Sequence, residues 1–568
     1  MERNLLALAI AGLSMSSAHG LTYTVTEEND NGLADTQGTL SYAIRQANTQ
    51  AGDDIIDIQT DMTVTAPMHA LVDSNIEIQG NGFTLSGGRL HRPLFIKSGS
   101  VSISDLTIED GLAKGQNTQW AAGAGAGLGG GLFIYDGDVE ITDVTFKGNR
   151  AFGGSGNQRS GASNRSGGGM QKTKPESNAS VDLFASSQFG TSLFGDGGYG
   201  SKHGDSQYQA SGNYGGAQTT TAARDGGFGA GGRAHETGGI AGNGGFGAGG
   251  GYGYAYGSAY CGENTYACGT GGDGGFGGGG GYGGTAGGKG GFGAGGGGAY
   301  YGGDRVGGFG TQSSRYDGAG MGGAIFVRAG QLSLTNVTFE SNSAYGGYNH
   351  PDIVEVIVEP IDGPLLVEQP MILERKIMPV ESAAGYGGAL FVMHTLENGN
   401  GNDQGMPSVL PTVSMCNVTF SDEEGTLNYA SHGFNEASTS NVFDAGGRVL
   451  DSSDSFNFSD GETLTIDAIK NQEFTTNIQL VNCSGETLDW SISIPSEQGQ
   501  VGISQSGELT YKADAEAEDE DGFVISVSDG NETKTLNVVV NLSEPSDSSG
   551  GSLFWILGGL LPFVRRRR

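Results

Sequence analysis

Four segments of the chain share one alternation of apolar and polar positions and align without gaps: VSISDLTI from Val101, VEITDVTF from Val139, LSLTNVTF from Leu332 and VSMCNVTF from Val413. Apolar residues at every second position predict short strands with one buried face. At the same phase of each copy stands Asp105, Asp143, Asn336 or Asn417. Asp and Asn tolerate left-handed backbone angles and hydrogen-bond their own backbone, so a sharp bend is expected there. IEIQGNGFTL from Ile76 is a looser fifth copy, with Gly80 and Asn81 at the bend. A second phrase, GGLFI at Gly130, GGAIFV at Gly322 and GGALFV at Gly387, reads as another buried strand entered through glycines.

One such unit cannot bury its apolar face alone. Stacked copies give each strand a parallel neighbour and build a continuous core. The expected fold is all-β, a right-handed parallel β-helix in which Ile78 to Ile103 makes one coil. An antiparallel sandwich is the rival, but it has no need of one bend residue at one phase. The segment GTLSYAIRQANTQAGDDIIDI, Gly38 to Ile58, predicts a short helix over Leu40 to Asn48 that caps the open end of the core. It resembles the CSLREA-type N-terminal segment of bacterial surface β-helices, without a Cys at its start. GGAI (Gly322 to Ile325) followed by FESN (Phe339 to Asn342) is similar to the repeat pair of polymorphic outer-membrane proteins. GGLF followed by FKGN (Phe146 to Asn149) nearly matches it, and the third copy breaks the pattern with FSDE at Phe420. Only the passenger-like fold carries over from this resemblance.

Between Asn149 and Met321 the strand phrases stop. Residues 151–224 read as a Ser/Gly-rich loop, and residues 225–320 as an insertion in which GGFG recurs with Phe228, Phe246, Phe276, Phe292 and Phe309. The period is near 17 once an excursion, YGYAYGSAYCGENTYACGT, is removed from the longest gap. Polyglycine loses much backbone entropy on ordering and offsets it by close backbone packing. A polyglycine II-like bundle with each aromatic residue holding one layer is therefore expected; glycine-rich β-helix turns and a disordered coil are the alternatives. By composition the insertion resembles the glycine-rich recognition domains of some phage tail adhesins. Cys261 and Cys268 bracket six residues and suit a loop disulfide in an oxidising compartment. Tyr252, Tyr254, Tyr256, Tyr260 and Tyr266 suit a contact surface, or equally pack on their own loop. The later coils occupy 321–450, with a long excursion at 348–385.

From Phe456 to Leu542 alternating strands separated by turn residues predict a β-sandwich over 456–542, with Trp490 in its core. GELTYKADAEAEDEDGFVISVSDG resembles bacterial cadherin-like and Ig-like surface modules. Glu516, Glu518, Asp519, Glu520, Asp521 and Asp529 offer carboxylate oxygens of the kind calcium takes, though a solvated acidic loop is the plainer reading.

Both ends read as addresses. Residues 1–20 have a short charged start, an apolar run from Leu5 to Met15, and Ala18 and Gly20 where a signal peptidase reads small residues, so cleavage near Gly20 is expected. Residues 543–568 carry Gly550, Gly551 and Ser552, an apolar run from Leu553 to Val564, and Arg565, Arg566, Arg567 and Arg568. This resembles the GlyGly-CTERM sorting signal of Gram-negative bacteria. The resemblance implies cleavage near the glycine pair by a rhomboid-type sortase, type II secretion, a transient inner-membrane segment and display at the cell surface. A permanent C-terminal membrane anchor, a transmembrane helix, is the alternative.

Composition narrows the partners. Glycine makes up 108 of 568 residues, well over twice its usual share of roughly 7%. Lys and Arg total 29 against 63 Asp and Glu, for a net charge of -34. Such a surface repels phosphate, so no nucleic acid partner is expected. No catalytic constellation stands out. His235 and Glu236 are not followed by a second His, and no Ser stands in a GxSxG turn with its partners. The expectation is a secreted, surface-attached, adhesin-like binding protein with no cofactor beyond a possible calcium ion. A polysaccharide lyase or hydrolase on the same scaffold, and a structural coat or matrix component, are the alternatives. The ligand, a surface or glycan, is unknown.

Overall fold

The computed structural model describes residues 20–156 (apart from 51, 69, 119 and 120), 167–170, 225, 228, 231–232, 239–253, 269–300, 303, 306–311, 316–347, 383–431 (apart from 400, 422 and 424), 441–444, 449–452, 460–478, 488–530 and 532–544. Strands Thr22–Val25, Asp54–Ile58, Ile76–Gln79, Ser100–Glu109, Asp138–Lys147, Gln331–Thr335, Thr412–Cys416 and Val449–Ser452 lie side by side in one sheet, every pair parallel. Their register puts Ile56, Ile78, Ile103, Ile141, Leu334 and Met415 in one column. None of these side chains is more than 3% exposed, and all belong to one core. The bend residues behave as their chemistry dictates: Asn81, Asp105, Asp143, Asn336 and Asn417 have φ between 50° and 56°. Their side chains also join neighbouring rungs, Asn336 Nδ2 donating to Asp143 Oδ1 at 2.9 Å and Asn417 Nδ2 to Asn336 Oδ1 at 3.2 Å.

The glycine-led phrase forms a second parallel sheet, in which Leu94–Ser98, Leu132–Ile134, Ile325–Val327, Leu390–Val392 and Val442–Phe443 are successive neighbours. Gly129, Gly322 and Gly387 enter these strands at φ of 61–66°, a backbone state that side chains resist. Both faces of the sheet are buried, which explains the unbroken apolar run. Leu132, Ile134 and their register partners face the common core. Phe95, Phe133, Phe326 and Phe391 face the other way, into a second core.

A third parallel sheet joins Leu112–Lys114, Arg150–Phe152, Ser343–Tyr345 and Tyr429–Ala430. Asn149, Asn342 and Asn428 precede its last three strands and are buried. They form a ladder: Asn149 Nδ2 donates to Asn342 Oδ1 at 3.0 Å, and Asn342 Nδ2 to Asn428 Oδ1 at 2.9 Å. Asn149 and Asn342 close the FKGN and FESN motifs. The third copy, at FSDE, does not break the pattern as the sequence suggests. Phe420 stacks on Phe339 at 5.2 Å, and Asn428 supplies the amide after an intervening turn. Asn342→Ala removes the partner of the Asn149 amide and of the Phe146 carbonyl. Each buried polar group left alone costs about 1–3 kcal/mol, so chemical denaturation should show a loss of at least 2 kcal/mol, about two such groups at the low end.

The helix occupies Leu40–Ala47 and buries Leu40, Ala43, Ile44 and Ala47 on the end of the core. The buried Asp30 fixes its start, accepting from Ser41 N at 2.6 Å and from Gly32 N at 2.8 Å. Among the described residues no helix is long and apolar enough to cross a membrane.

The C-terminal module has two sheets. Glu462–Ile469, Thr533–Ser543, Glu520–Ser528 and Asp489–Ile494 form one; Glu473–Asn477, Glu508–Ala513 and Gly499–Ile503 form the other. Its first and last strands pair parallel and the rest antiparallel. Trp490, Tyr511, Phe523 and Val538 are buried between the sheets.

Candidate functional site

The insertion is built from its glycines upward. After Phe246, Phe276, Phe292 and Phe309 the next glycine has φ of 74–82°. The residue beyond donates its amide back to the glycine before the phenylalanine, as in Gly278 N to Gly275 O at 2.7 Å. GGFG is thus a type II turn, which requires glycine at its third position. Each turn points its ring the same way. Phe228, Phe246, Phe276, Phe292 and Phe309 stack at centroid distances of 5.0, 5.1, 5.1 and 5.3 Å, within 10° of coplanar. The rung spacing of a parallel sheet, about 4.8 Å, sets this repeat.

A second ladder stands against it. Phe95, Phe133, Phe326, Phe391 and Phe443 stack at 4.8, 5.0, 4.9 and 5.0 Å. The two ladders meet edge to face, with Phe133 on Phe246 at 5.9 Å and Phe276 on Phe326 at 6.1 Å. Arg328 lies beside the rings, its guanidinium 4.0 Å from the Tyr135 ring centroid and 5.6 and 5.7 Å from Phe246 and Phe276. Its hydrogen bonds go to the Gly405 and Tyr135 carbonyls, and burial pushes its pKa down. Arg92 is buried beside Phe95 and Phe133, donates to Leu128 and Gly129 carbonyls, and is lowered by burial to about 9.

Beyond the rings lies a layer of extended glycine segments. Gly279 N donates to Gly168 O at 2.8 Å, Gly280 N to Gly295 O at 3.0 Å, and Gly281 N to Gly272 O at 2.9 Å. Three successive amides therefore reach three different segments. A Cβ on these residues would lie 1.9–2.0 Å from a neighbouring carbonyl oxygen, so the packing admits glycine alone. Carboxylate and amide side chains pin the rungs: Asp273 N donates to Asn243 Oδ1 at 2.8 Å and Lys289 N to Asp273 Oδ1 at 2.6 Å. Asn398 and Asn402, far along the chain, receive Phe309 N at 2.9 Å and cap Gly274 O at 2.7 Å. Residues 167–170 belong to the layer as well, Gly167 N donating to Gly250 O at 2.9 Å and Met170 buried against the rings. The loop expected over 151–224 thus takes in the end of a strand, Arg150–Phe152, and a layer segment.

The residues expected to bind fare differently. Tyr252 is 7% exposed and stacks near Tyr282 at 6.4 Å, which agrees with the packing alternative. It shares a small cluster with Ala122 and Tyr282, apart from the phenylalanine ladder. Tyr254, Tyr256, Tyr260, Tyr266, Cys261 and Cys268 lie outside the described residues, as do Gly550, Gly551, Ser552 and Arg565 to Arg568. Cys416 is disulfide-bonded, and its partner lies outside the described residues.

The acidic run does not converge. Glu516, Glu518, Asp519 and Glu520 are exposed, and Asp519 pairs with Lys470 at 3.2 Å. Asp521 is turned inward, accepting from Tyr511 Oη at 2.6 Å and Ser496 Oγ at 2.5 Å. Burial works to raise its pKa, but those hydrogen bonds outweigh it and hold the carboxyl below its usual range. Asp529 accepts from Glu532 N at 2.7 Å. Among the described residues no group of three His, Cys, Asp or Glu is placed to hold a metal ion.

Residues 447–541 match the family model of the bacterial Ig domain. From Glu462 onward that segment is an Ig-like domain, whereas its first strand, Val449–Ser452, pairs in the long sheet. Its two sheets and shared core fit the assignment. No curated protein matches the sequence. Among solved structures, an endo-fucoidan hydrolase of glycoside hydrolase family 107 and a variant of it are similar over 17% of this chain and 16% of theirs. The identity is 13% and the TM-score 0.15, a short shared stretch that assigns no activity.

Proposed function

We propose that this protein is an exported, surface-attached, non-enzymatic binding protein. In this reading the stacked parallel sheets form a right-handed β-helix, since parallel crossovers take that hand almost without exception. The glycine layer on its flank is a polyglycine II-like bundle, because threefold extended chains direct successive amides to different neighbours. The Ig-like domain, the leader-like residues 1–20 and the GlyGly-type tail support passage through the envelope by signal peptidase and a rhomboid-type sortase. An Ig-like domain also suits an extracellular setting.

The observation that carries the reading is where the excursion is rooted. Gly253 and Gly269, which flank residues 254–268 in the sequence, both belong to the layer. Gly253 N donates to Tyr282 O, at the tyrosine edge of the layer and not at its phenylalanine edge. On this reading residues 254–268, which lie between Gly253 and Gly269 in the sequence, supply the contact surface. Tyrosines there offer large apolar area with a polar end, the commonest make-up of binding hot spots. Replacing Tyr254, Tyr256, Tyr260 and Tyr266 by serine in the full chain should lower binding to whole cells or to a glycan array by at least about tenfold, with an unchanged melting temperature. Equal binding by the substituted protein removes the excursion as the contact surface.

A further inference from the structure

Asp54 opens the second strand of the long sheet and is fully buried. Its Oδ1 accepts from the backbone nitrogen of Leu21 at 2.6 Å, while Oδ2 is buried with no hydrogen-bond partner. The neighbouring groups are already committed. Leu21 O accepts from Ile55 N at 2.8 Å, Asp54 N donates to Asn75 O at 3.3 Å, and Asn75 Nδ2 donates to Asp53 Oδ1 at 3.0 Å. A buried carboxylate with one oxygen unsatisfied is costly, and an added positive charge or donor would relieve it. The atom best placed to become one is the Leu21 nitrogen. As an amide it carries one proton; as a chain terminus it would carry three and a positive charge.

We propose that hydrolysis of the Gly20–Leu21 bond makes the N-terminus that Asp54 is built to hold. The new α-ammonium of Leu21 pairs with both carboxylate oxygens and ties the first strand, Thr22–Val25, to the body. Water supplies the atoms: its hydroxyl goes to the Gly20 carbonyl carbon and its proton to the Leu21 nitrogen. The Gly20 carboxyl then releases one proton and the amine takes one up. This rests on the reading of residues 1–20 as a cleaved signal, with Ala18 and Gly20 as the small residues before the cut. Processing on this view completes the fold as well as releasing it.

The test uses the protein secreted with its own leader. Intact mass and N-terminal sequencing should give Leu21 as the first residue. Peptide mapping after a short exposure to a succinimidyl ester at neutral pH should show the Leu21 amine reacting about tenfold more slowly than in the urea-unfolded chain, because an ion pair withholds the reactive free base. Asp54→Asn should restore fast labelling. One glycine added before Leu21 should lower the melting temperature as Asp54→Asn does, and the two together should lower it no further. A mature chain that begins elsewhere overturns the cleavage reading and the proposal with it. A chain that begins at Leu21, labels as fast as when unfolded and tolerates the added glycine overturns the ion pair alone.

Discussion

Gly279→Ala is expected to disrupt the glycine layer, while Gly303→Ala in the same insertion leaves the melt unchanged. At Gly279 a Cβ would stand 1.9 Å from the Gly123 carbonyl oxygen and 2.3 Å from its carbon. Both are backbone atoms of a residue whose carbonyl oxygen accepts from Gly168 N and whose amide donates to Gly280 O, so neither can swing aside. The layer must either part or lose those bonds. Overpacking a tight core with one methyl usually costs about 1–3 kcal/mol. A rigid backbone contact belongs at or beyond the top of that range. At Gly303 an added Cβ meets nothing within 4 Å. Calorimetry and limited proteolysis of the two variants, side by side, separate the packing effect from the general cost of losing a glycine. Equal melts for both would mean that the close-packed layer is absent in solution.

Phe326→Ala should be as damaging from the opposite side of the junction. The ring is fully buried, stacks on Phe133 and Phe391 at 5.0 and 4.9 Å, and meets Phe276 and Phe292 edge-on. Truncating a buried phenylalanine costs about 3–5 kcal/mol, and the stacking adds about 0.5–1.5 kcal/mol for each good pair. Urea unfolding should place the loss above 3 kcal/mol, the lower end for such truncations. Phe276→Ala should behave alike, and the double variant should lose less than the two summed because the rings touch. Strict additivity would show that the ladders do not pack together. The same contacts make deletion of residues 225–320 a poor probe of binding, since it would bare Phe133, Phe326 and Phe391 to water.

Much of this was legible in the residues. The phase of Asp105, Asp143, Asn336 and Asn417 foretold both the bend and the register, because one chemical property, tolerance of positive φ, is required at one place in every rung. The capping helix and the burial of Trp490 followed from simple patterning. The GGFG period foretold one aromatic residue per layer, but not that each GGFG is itself a turn. It did not reveal that the phenylalanines face a second ladder, because Phe95, Phe133, Phe326 and Phe391 read as ordinary core residues of their strand. Alternation cannot say which of two buried faces a residue serves. The asparagine ladder was half visible: Asn149 and Asn342 end recognisable motifs, but Asn428 is displaced along the chain, and spacing arguments fail where a turn is inserted. Tyr252 could be read either way, as contact or as packing, because no apolar neighbour is near it in sequence. Its neighbours, Ala122 and Tyr282, come from other segments.

The strand from Asp138 pairs on one side with the strand from Ser100 and on the other with the strand from Gln331. Asn149 and Asn342, adjacent in space, are 193 residues apart in the chain. A chain emerging from its amino end can complete the early rungs as it appears, but then must wait, with one strand edge open, until almost two hundred further residues have arrived. Closing so long a loop is slow and leaves the edge open to wrong partners meanwhile. Assembly should therefore show two phases, a prompt one for the first coils and a delayed one for everything after residue 152, and whatever keeps the nascent chain from clumping must act in the interval between them.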